Sequence, residues 1–532
     1  MSESEMSPMS RRNLLNLIGT AAGGAAMYQA MTSLGHAAES TYTGPIKLDG
    51  DPKGASVLIL GAGLAGLVAA LELRKAGYKV QVLEYHERAG GRNWTLRGGD
   101  KFTELGGIEQ KCEFERGNYI NPGPWRIPYN HHAILDYCKR LGVAMEPFVQ
   151  VNYNAYMHNK DAFGGKPQRF RHIYSDFQGG VTELLSKAVN QDKLEEAVTK
   201  EDKEVLLAAL RQWGALDANY KYAKNGLTSD RRGYDRDPGG GLSGEPVNSE
   251  PFSFKDVVKS RLWNRMQTGG VYEFQSAIFQ PVGGMDMIAK AFQREVGRLI
   301  KFNAKVTTIK QDNRGVTVTY VDAKKGGRPQ TATADYCLCT IPLSVLSQID
   351  INVGSAMKAA IDAPPYAASI KIGLQFKRRF WEEDEQIYGG ISYTNLPIAM
   401  IQYPSSNFFR TGKGVLLAAY TFGANAYEWT ALPPAERLKK AVEFGAQIHP
   451  QQYQKEFENG ISVGWHREPA TLGCYAVWTD AARKQHYNNL CAMDGRIMLA
   501  GEHASYLPAW QEGSVLSALD AISRLHKRVV AR

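Results

Sequence analysis

The sequence predicts an α/β fold in which a parallel sheet, a mixed sheet and a helical region are assembled from interleaved segments of the chain. Three observations lead to this prediction. A strand–turn–helix–strand pattern occupies residues 57–84, helical periodicity dominates residues 178–268, and strand-like alternation returns from residue 305 onward. A further buried-strand pattern at residues 496–500 precedes the last helix, so we expect distant segments to share one sheet.

The composition is that of an ordinary globular protein. The chain has 532 residues, is 43% hydrophobic and 22% charged, and carries a formal net charge of +9, which suits an anionic cofactor and anionic substrates. It contains no long Lys/Arg run and no nucleic-acid motif, so we expect no nucleic-acid partner. The six cysteines show no zinc-ligand spacing, and we predict no metal site.

Residues 57–84 carry the most specific pattern of the chain. An apolar strand runs into Gly61-x-Gly63-x-x-Gly66, an Ala/Leu-rich helix follows, and a second strand ends on Glu84. In such a unit the first glycine makes the tight turn, the second leaves room for a pyrophosphate, and the third lets helix and strand pack closely. The helix N-terminus would face the phosphates. Glu84 can accept both ribose hydroxyls, so the segment predicts a dinucleotide without a 2′-phosphate.

The next stretch narrows the dinucleotide to FAD. Arg88-Ala-Gly90-Gly91-Arg92-x-x-Thr95 resembles the RxGGRxxT motif of the flavin amine oxidases, which include monoamine, polyamine and L-amino-acid oxidases. A glycine pair beside an arginine lets the backbone at Gly91 and the Arg92 guanidinium meet a diphosphate together. The resemblance implies FAD as cofactor and the amine oxidase (glutathione-reductase-2-like) fold, with a Rossmann-like FAD-binding domain.

The resemblance runs from about residue 55 to residue 525 and implies how the domains interleave. The predicted parts are an FAD-binding domain (52–114, 268–344 and 456–532), a mixed-sheet substrate-binding domain (115–177 and 345–455) and a helical subdomain (178–267). A helical pattern is also present in residues 128–148. Residues 228–250, which are rich in glycine, predict a mobile loop that interrupts the helical subdomain.

A C-terminal segment resembles a second flavin-binding element of the family. Ala500-Gly501-Glu502-His503 is followed by Gly513-Ser514-Val515 at the start of a helix. The resemblance implies that Glu502 accepts a ribityl hydroxyl and that backbone N–H groups near Ser514 and Val515 stabilise negative charge on the reduced flavin. It also implies that Val306 offers backbone groups to the adenine.

Three short segments resemble the L-amino-acid oxidases in particular. They are GPWRIP (123–128), IKIGL (370–374) and IQYP (401–404), which are similar to GPMRLP, TKIFL and IYYP. In that family the arginine clamps the substrate α-carboxylate and the tyrosine adds a third bond, which implies these roles for Arg126 and Tyr403. A planar guanidinium matches both carboxylate oxygens and so orients Cα–H toward flavin N5.

Three more residues are candidates at the reaction centre. Lys371 lies in an apolar strand, and the resemblance implies a lysine linked through water to flavin N5, for which a desolvated amine with a lowered pKa is suited. Trp510 is a candidate aromatic wall of the substrate site. Cys474 lies in a segment similar to the one that monoamine oxidases link to FAD, whereas L-amino-acid oxidases hold FAD without that bond. Non-covalent FAD is favoured, and a covalent link at Cys474 stays open.

The resemblance implies an FAD-dependent L-amino-acid oxidase. Hydride would pass from the α-carbon to flavin N5, O2 would reoxidise the flavin to give H2O2, and the imino acid would hydrolyse to a 2-oxo acid and ammonia. A primary-amine or polyamine oxidase, an amino-acid 2-monooxygenase that gives an amide, and an FAD-binding protein without catalysis stay open. An insertion at residues 108–121, before the Arg126 segment, favours the amine oxidase if it shifts the register. Dimers are common in the family, so we expect a homo-oligomer, with a dimer favoured.

The N-terminus resembles an export signal. Ser-Arg-Arg-Asn-Leu-Leu at residues 10–15 is similar to a twin-arginine motif, and a modest apolar stretch and small residues near Ala37 follow. The apolar stretch is rich in Gly and Ala and contains Gln29, so it is too weakly hydrophobic for a stable membrane span. We therefore predict that residues 1–38 direct export to the periplasm or the medium.

Overall fold

The computed structural model describes residues 40, 42–191 and 199–531 and confirms the predicted α/β class. Its centre is a five-stranded sheet in which all neighbouring strands are parallel. The apolar run of the first strand is buried, as expected for a strand that is covered on both faces. In spatial order the strands are Ile300–Lys301, Lys79–Leu83, Ser56–Leu60, Tyr336–Cys339 and Ile497–Leu499.

The parallel sheet separates two hydrophobic cores. Val57 and Ile59 belong to one core, whereas Leu58 and Leu60 belong to the other. Because alternate residues of a strand point to opposite faces, burial of all four requires a layer on each side. One layer contains the helices Leu64–Lys75, His132–Arg140, Met287–Val296 and Gln511–Val530. The other contains a four-stranded sheet, in the order Gly326–Ala334, Val316–Asp322, Ala304–Gln311 and Asp350–Ile351, with the helices Leu343–Leu346 and Ser355–Asp362.

A second large sheet has seven strands and a third core. Its strand Ser369–Phe376 is buried along its whole length and pairs antiparallel with a neighbour on each side. The order is Gln168–Arg169, Tyr156–His158, Ile391–Thr394, Met400–Gln402, Gly414–Phe422, Ser369–Phe376 and Phe457–Gly464. Four helices also contribute residues to that core: Phe380–Glu383, Gly423–Thr430, Pro434–Gly445 and Tyr453–Glu456.

The helical region contains more regular structure than its sequence predicts. Its helices are Phe170–Asn190, Lys200–Gly214, Gly226–Arg232 and Phe254–Ser260, followed by a 3₁₀ segment Leu262–Gly270. The prediction of a loop over residues 228–250 is therefore wrong at both ends. Thr228 lies inside a helix because Asn225 and Thr228 form a reciprocal capping box, and the strands Tyr234–Arg236 and Val247–Asn248 pair farther on. The mobility of this segment stays a prediction.

Shorter elements complete the described chain. A three-stranded sheet orders Ile127–Pro128, Ile278–Pro281 and Met145–Pro147, and the pairs Leu96–Arg97 with Tyr119–Ile120 and Lys101–Thr103 with Glu109–Lys111 form two-stranded sheets. The helix predicted within residues 128–148 is confined to His132–Arg140, because the strands Ile127–Pro128 and Met145–Pro147 lie on either side of it. Helix Asp480–Cys491 precedes the last strand of the parallel sheet.

The described part of the chain adds two findings. None of its helices is long and apolar enough to cross a membrane. All six cysteines lie within it as free thiols. The predicted export signal, residues 1–38, lies outside the described residues, and the domain boundaries stay predictions.

Candidate active site

A cavity of about 760 Å³ extends from the carboxyl ends of the parallel strands to the seven-stranded sheet. Its lining comes from segments that are far apart in sequence. Gly61, Glu84 and Val306 mark one end, and Arg126 and Trp510 mark the other. A crevice beyond the carboxyl ends of parallel strands is where open α/β sheets bind their ligands.

The three motif glycines have different surroundings. Gly61 has φ +100°, which favours glycine, and its N–H donates to Leu83 O at 2.8 Å. A Cβ at Gly66 would lie 2.0 Å from Gly61 O, so this position accepts no side chain. A Cβ at Gly63 would meet no atom of the described residues within 4 Å and would project into the cavity that Gly63 lines. The structure thus separates a ligand-facing glycine from two structural ones.

Glu84 places a buried carboxylate in the cavity wall. Its Oε2 accepts the Ala62 N–H at 2.6 Å, and its Oε1 accepts the His86 N–H at 2.8 Å. Each carboxylate oxygen has a second lone pair, so both can still accept a ribose hydroxyl. Val306 lines the same end of the cavity from the strand Ala304–Gln311.

Arg92 and Glu502 form an ion pair that the sequence analysis did not predict. Arg92 Nη1 lies 2.9 Å from Glu502 Oε1 and donates to Cys474 O at 2.7 Å. Burial opposes the charge of Arg92, but Glu502 keeps its pKa above the ordinary value. Glu502 Oε2 is buried and has no hydrogen-bond partner among the described residues. Gly91, with φ +56°, lines the cavity beside this pair, and a Cβ there would lie 3.3 Å from Gly63 Cα.

The helix Gln511–Val530 directs its N-terminus at the cavity. Trp510, Gln511 and Ser514 line the cavity, whereas the Val515 side chain is buried in the core. Any contribution of Val515 to a ligand is therefore limited to its backbone. The first N–H groups of a helix are available to an anionic ligand and lie at its positive end.

These features fit FAD. The open face of Gly63 accommodates a pyrophosphate, Glu84 offers acceptors to a ribose, and the orphaned Glu502 Oε2 offers an acceptor to a ribityl hydroxyl. Cys474 also lines the cavity, and burial raises the pKa of its thiol. The position of Cys474 is compatible with FAD held with or without a covalent bond.

Arg126 lies in the wall at the other end of the cavity. It is buried, with 7% of its surface exposed, and its guanidinium lies against aromatic rings. Its Cζ is 4.3 Å from the centre of the Phe274 ring, 4.7 Å from Trp125 and 5.9 Å from Trp510. Stacking of this kind holds a guanidinium in a fixed plane, and a planar guanidinium matches the geometry of a carboxylate.

Lys371 lies directly behind this wall. Its Nζ donates to the carbonyl oxygens of Asn121 and Gly123 and lies 4.8 Å from the Trp125 ring centre and 4.5 Å from that of Tyr420. The pKa of Lys371 is lowered to about 7, mainly by burial; Cys474 acts in the opposite direction, and the nearby Arg126 adds to the lowering. The amine can therefore exchange a proton near neutral pH.

The structure does not support the predicted role of Tyr403 in binding a substrate carboxylate. It is fully buried in the core of the seven-stranded sheet, and its hydroxyl is bonded to Ser392 Oγ at 2.7 Å and to His449 Nε2 at 2.8 Å. Strand residues alternate in direction, so it is the preceding residue, Gln402, that points the other way and lines a separate cavity of about 70 Å³ beside Trp125. Tyr403 is therefore not part of an Arg126 clamp.

Several aromatic lining residues were not predicted from the sequence. Tyr420 and Phe422 share one face of the strand Gly414–Phe422 because they are two residues apart. Trp125 precedes Arg126 in the cavity wall. The alternation of Tyr420 and Phe422 is visible in the sequence, but such alternation is equally typical of strands that pack in a core. Only the position of the strand beside the cavity distinguishes the two.

Comparisons with known proteins agree with this geometry. A family model described as "Flavin containing amine oxidoreductase" matches residues 64–525. An L-amino-acid oxidase of Vipera ammodytes ammodytes is 28% identical over 486 residues, 90% of this chain and 93% of that protein. One from Siganus canaliculatus is 26% identical over 485 residues, 89% of this chain and 86% of that protein.

A solved structure shows the same fold. Wild-type putrescine oxidase bound to putrescine aligns with a TM-score of 0.58 and 17% identity, over 90% of this chain and 99% of that one. The family match covers most of the chain, so the protein belongs to the flavin-containing amine oxidoreductases. Membership implies a flavin cofactor.

Proposed function

Because the chain is a flavin-containing amine oxidoreductase, we propose that it oxidises L-amino acids. The reaction converts an L-amino acid, O2 and water into a 2-oxo acid, ammonia and H2O2. The similar curated proteins with this activity support the proposal, as do the residues at the Arg126 end of the cavity.

The position of Arg126 is the observation that carries the proposal. A guanidinium held among three rings in the wall of a largely apolar cavity has the planar donor geometry that matches a carboxylate. Simple amines have no group that matches it. A substrate bound by its carboxylate at Arg126 would direct its Cα and amine toward the end of the helix Gln511–Val530.

The chain's own residues supply orientation, exclusion of water and proton storage. Arg126 holds the carboxylate, and the rings of Trp125, Tyr420 and Trp510 enclose the substrate. When bound, FAD supplies the acceptor for the hydride of Cα and the site of O2 reduction. Lys371, with a pKa of about 7, holds a proton behind the Trp125 ring and can give or take it as the amine changes its charge.

One observation favours a second candidate, a primary-amine or polyamine oxidase. Tyr403 points into the core, so the carboxylate clamp lacks one of the two side chains that the resemblance implied. An amino-acid 2-monooxygenase would use the same clamp but would release an amide and CO2 with little peroxide.

The test is an anaerobic flavin-bleaching screen. Purified holoenzyme is mixed with the L-amino acids, selected D-enantiomers and the matched decarboxylated amines, and aerobic peroxide and ammonia are quantified for every hit. Bleaching by L-amino acids but not by their amines, with stoichiometric peroxide, is the expected result. Equal bleaching by the amines would overturn the proposal, and an amide product with little peroxide would identify the monooxygenase instead.

A further inference from the structure

Glu512 is a buried carboxylate that joins two helices at the cavity. It is the second residue of the helix Gln511–Val530, and its exposed fraction is 0%. Its Oε1 accepts the Ala133 N–H at 2.9 Å, and its Oε2 accepts the Ile134 N–H at 2.8 Å. Ser40 Oγ donates a third hydrogen bond to Oε1. Each carboxylate oxygen of Glu512 therefore accepts a hydrogen bond from a different backbone N–H group.

The two backbone donors belong to the first turn of the helix His132–Arg140. N–H groups in a first turn have no partner within their own helix. The residue before this helix, His131, does not cap it with a side-chain hydrogen bond in the described structure. Glu512 therefore caps it from another helix and fixes how the two N-termini lie together.

Both N-termini adjoin the residues that line the substrate end of the cavity. Arg126 lies six residues before the helix His132–Arg140 and directly before the strand Ile127–Pro128, and Trp510 lies directly before the helix Gln511–Val530. The Trp510 ring contacts the edge of His131 at 4.9 Å between centres and lies 5.9 Å from Arg126 Cζ. We expect a change in the spacing of the two helices to change the distance between Arg126 and the helix end that lines the cavity.

We propose that Glu512 is a positioning residue that sets this distance and thereby the placement of the substrate Cα for hydride transfer. The inference rests on the proposed function, because it takes Arg126 as the carboxylate clamp. Reaction requires the reacting atoms to lie about 3–3.5 Å apart, and a misplacement of about 1 Å can cost roughly 100-fold in rate. The carboxylate contacts at Arg126 need not change in such a shift. Glu512 therefore controls the rate of reduction more than substrate affinity.

Glu512→Gln is the informative variant. A glutamine has the same shape, but its one acceptor oxygen can accept only one of the two N–H groups, and its NH2 group opposes the other. Glu72→Gln is the matched control. Glu72 is also a buried carboxylate bound to the helix His132–Arg140, where it accepts the Tyr137 hydroxyl at 2.8 Å and faces Arg140 at 3.3 Å. It lies on the helix Leu64–Lys75, and within the described residues its carboxylate faces Tyr137, Arg140 and Lys75 rather than the helix Gln511–Val530.

The experiment measures the anaerobic reduction of holoenzyme by the L-amino acid that reduces the wild-type flavin fastest. The first-order rate of reduction and the substrate Kd come from its concentration dependence, and FAD content and Tm are measured in parallel. We expect Glu512→Gln to lower the rate at saturation at least tenfold while Kd changes less than threefold at full FAD content. We expect Glu72→Gln to lower Tm and to keep the rate within twofold of the wild type.

Two outcomes would overturn the inference: an unchanged rate in Glu512→Gln, or an equal loss in Glu72→Gln. If Glu512→Gln does not retain FAD, Glu512→Asp replaces it. Aspartate keeps both acceptors but retracts them by one methylene, so the helix spacing must change, and an unchanged rate would again overturn the inference. Failure of every L-amino acid to reduce the wild-type flavin is a different result, because it removes the proposed function itself.

Discussion

The two ends of the cavity are built in different ways. At the FAD end, Gly61, Gly63, Gly66 and Glu84 lie within one strand–helix–strand unit, and backbone shape provides most of the site. At the end that we propose binds the substrate, Arg126 and the surrounding rings come from segments far apart in sequence, and side chains provide the site. Local motifs therefore specify the first end, whereas packing between distant segments of the chain specifies the second.

The largest effect on activity, through loss of the cofactor itself, is expected at the FAD end, where two glycines should fail for different reasons. Gly66→Ala places a Cβ 2.0 Å from Gly61 O, so the strand and helix must separate, at a cost of about 3 kcal/mol. Gly63→Ala meets no described atom within 4 Å but fills space that a pyrophosphate needs. We expect both to lose FAD, and only Gly66→Ala to lower the stability of the apoprotein.

Calorimetry and FAD titration of both apoproteins separate the two causes. For Gly63→Ala we expect an affinity loss of about 100-fold, or roughly 3 kcal/mol, with Tm unchanged. Equal Tm losses in the two variants would show that Gly63 is structural, and the contrast between them would disappear.

The next largest effect is expected at Arg126. Arg126→Ala should lower kcat/KM for L-amino acids by about 1000-fold, or roughly 4 kcal/mol, because it removes a charged, bidentate partner of the carboxylate. Arg126→Lys keeps the charge without the planar fork and should recover only part of that loss. Both variants should retain FAD. If either variant lost FAD in proportion to its activity, the assignment of Arg126 to the substrate site would be wrong.

The pH dependence of reduction tests Lys371. Its pKa of about 7 lies below the ordinary lysine value because of burial, so the amine becomes protonated as pH falls through 7. If the neutral amine assists the reaction, the rate should fall about tenfold per pH unit below pH 7, and Lys371→Met should lower the rate and abolish this dependence. Stopped-flow reduction between pH 5.5 and 9 gives both profiles.

Stability provides an independent check of the same pKa. A folded-state pKa below the unfolded value means that the unfolded chain binds more protons, so Lys371 destabilises the fold at and below about pH 7. This cost is lost as pH rises toward the ordinary lysine pKa. Urea unfolding should therefore show Lys371→Met gaining on the wild type at pH 7 relative to pH 10. A constant difference would mean that the lysine has an ordinary pKa.

The smallest effect on activity is expected at Tyr403. Tyr403→Phe removes a buried hydroxyl that bonds Ser392 and His449, which should cost about 1–2 kcal/mol of unfolding free energy. Its kcat/KM should remain within about twofold of the wild type, because the ring belongs to the core of the sheet. A loss of kcat/KM comparable to that of Arg126→Ala would show that Tyr403 belongs to the carboxylate clamp after all.

Prediction from sequence succeeded where a local pattern requires one backbone geometry. The strand at residues 57–60, the Gly61 turn and the helix after it are all present. Prediction failed for residues 228–250. The cap formed by Asn225 and Thr228 stabilises the helix Gly226–Arg232, whose residues otherwise favour a loop. The usual sequence signature of a capping box has Glu or Gln at its second position, and here Thr228 occupies that position.

By itself, the sequence determined the dinucleotide-binding unit, the α/β class and the presence of a candidate arginine and lysine. Those features depend on residues that are close in the chain, whose chemistry is local. Only the tertiary structure decided that Tyr403 faces a core, that Arg92 pairs with Glu502, and that Glu512 caps a helix almost four hundred residues away. Such choices depend on which face of an element meets which neighbour, and a shift of one residue in a strand reverses that face.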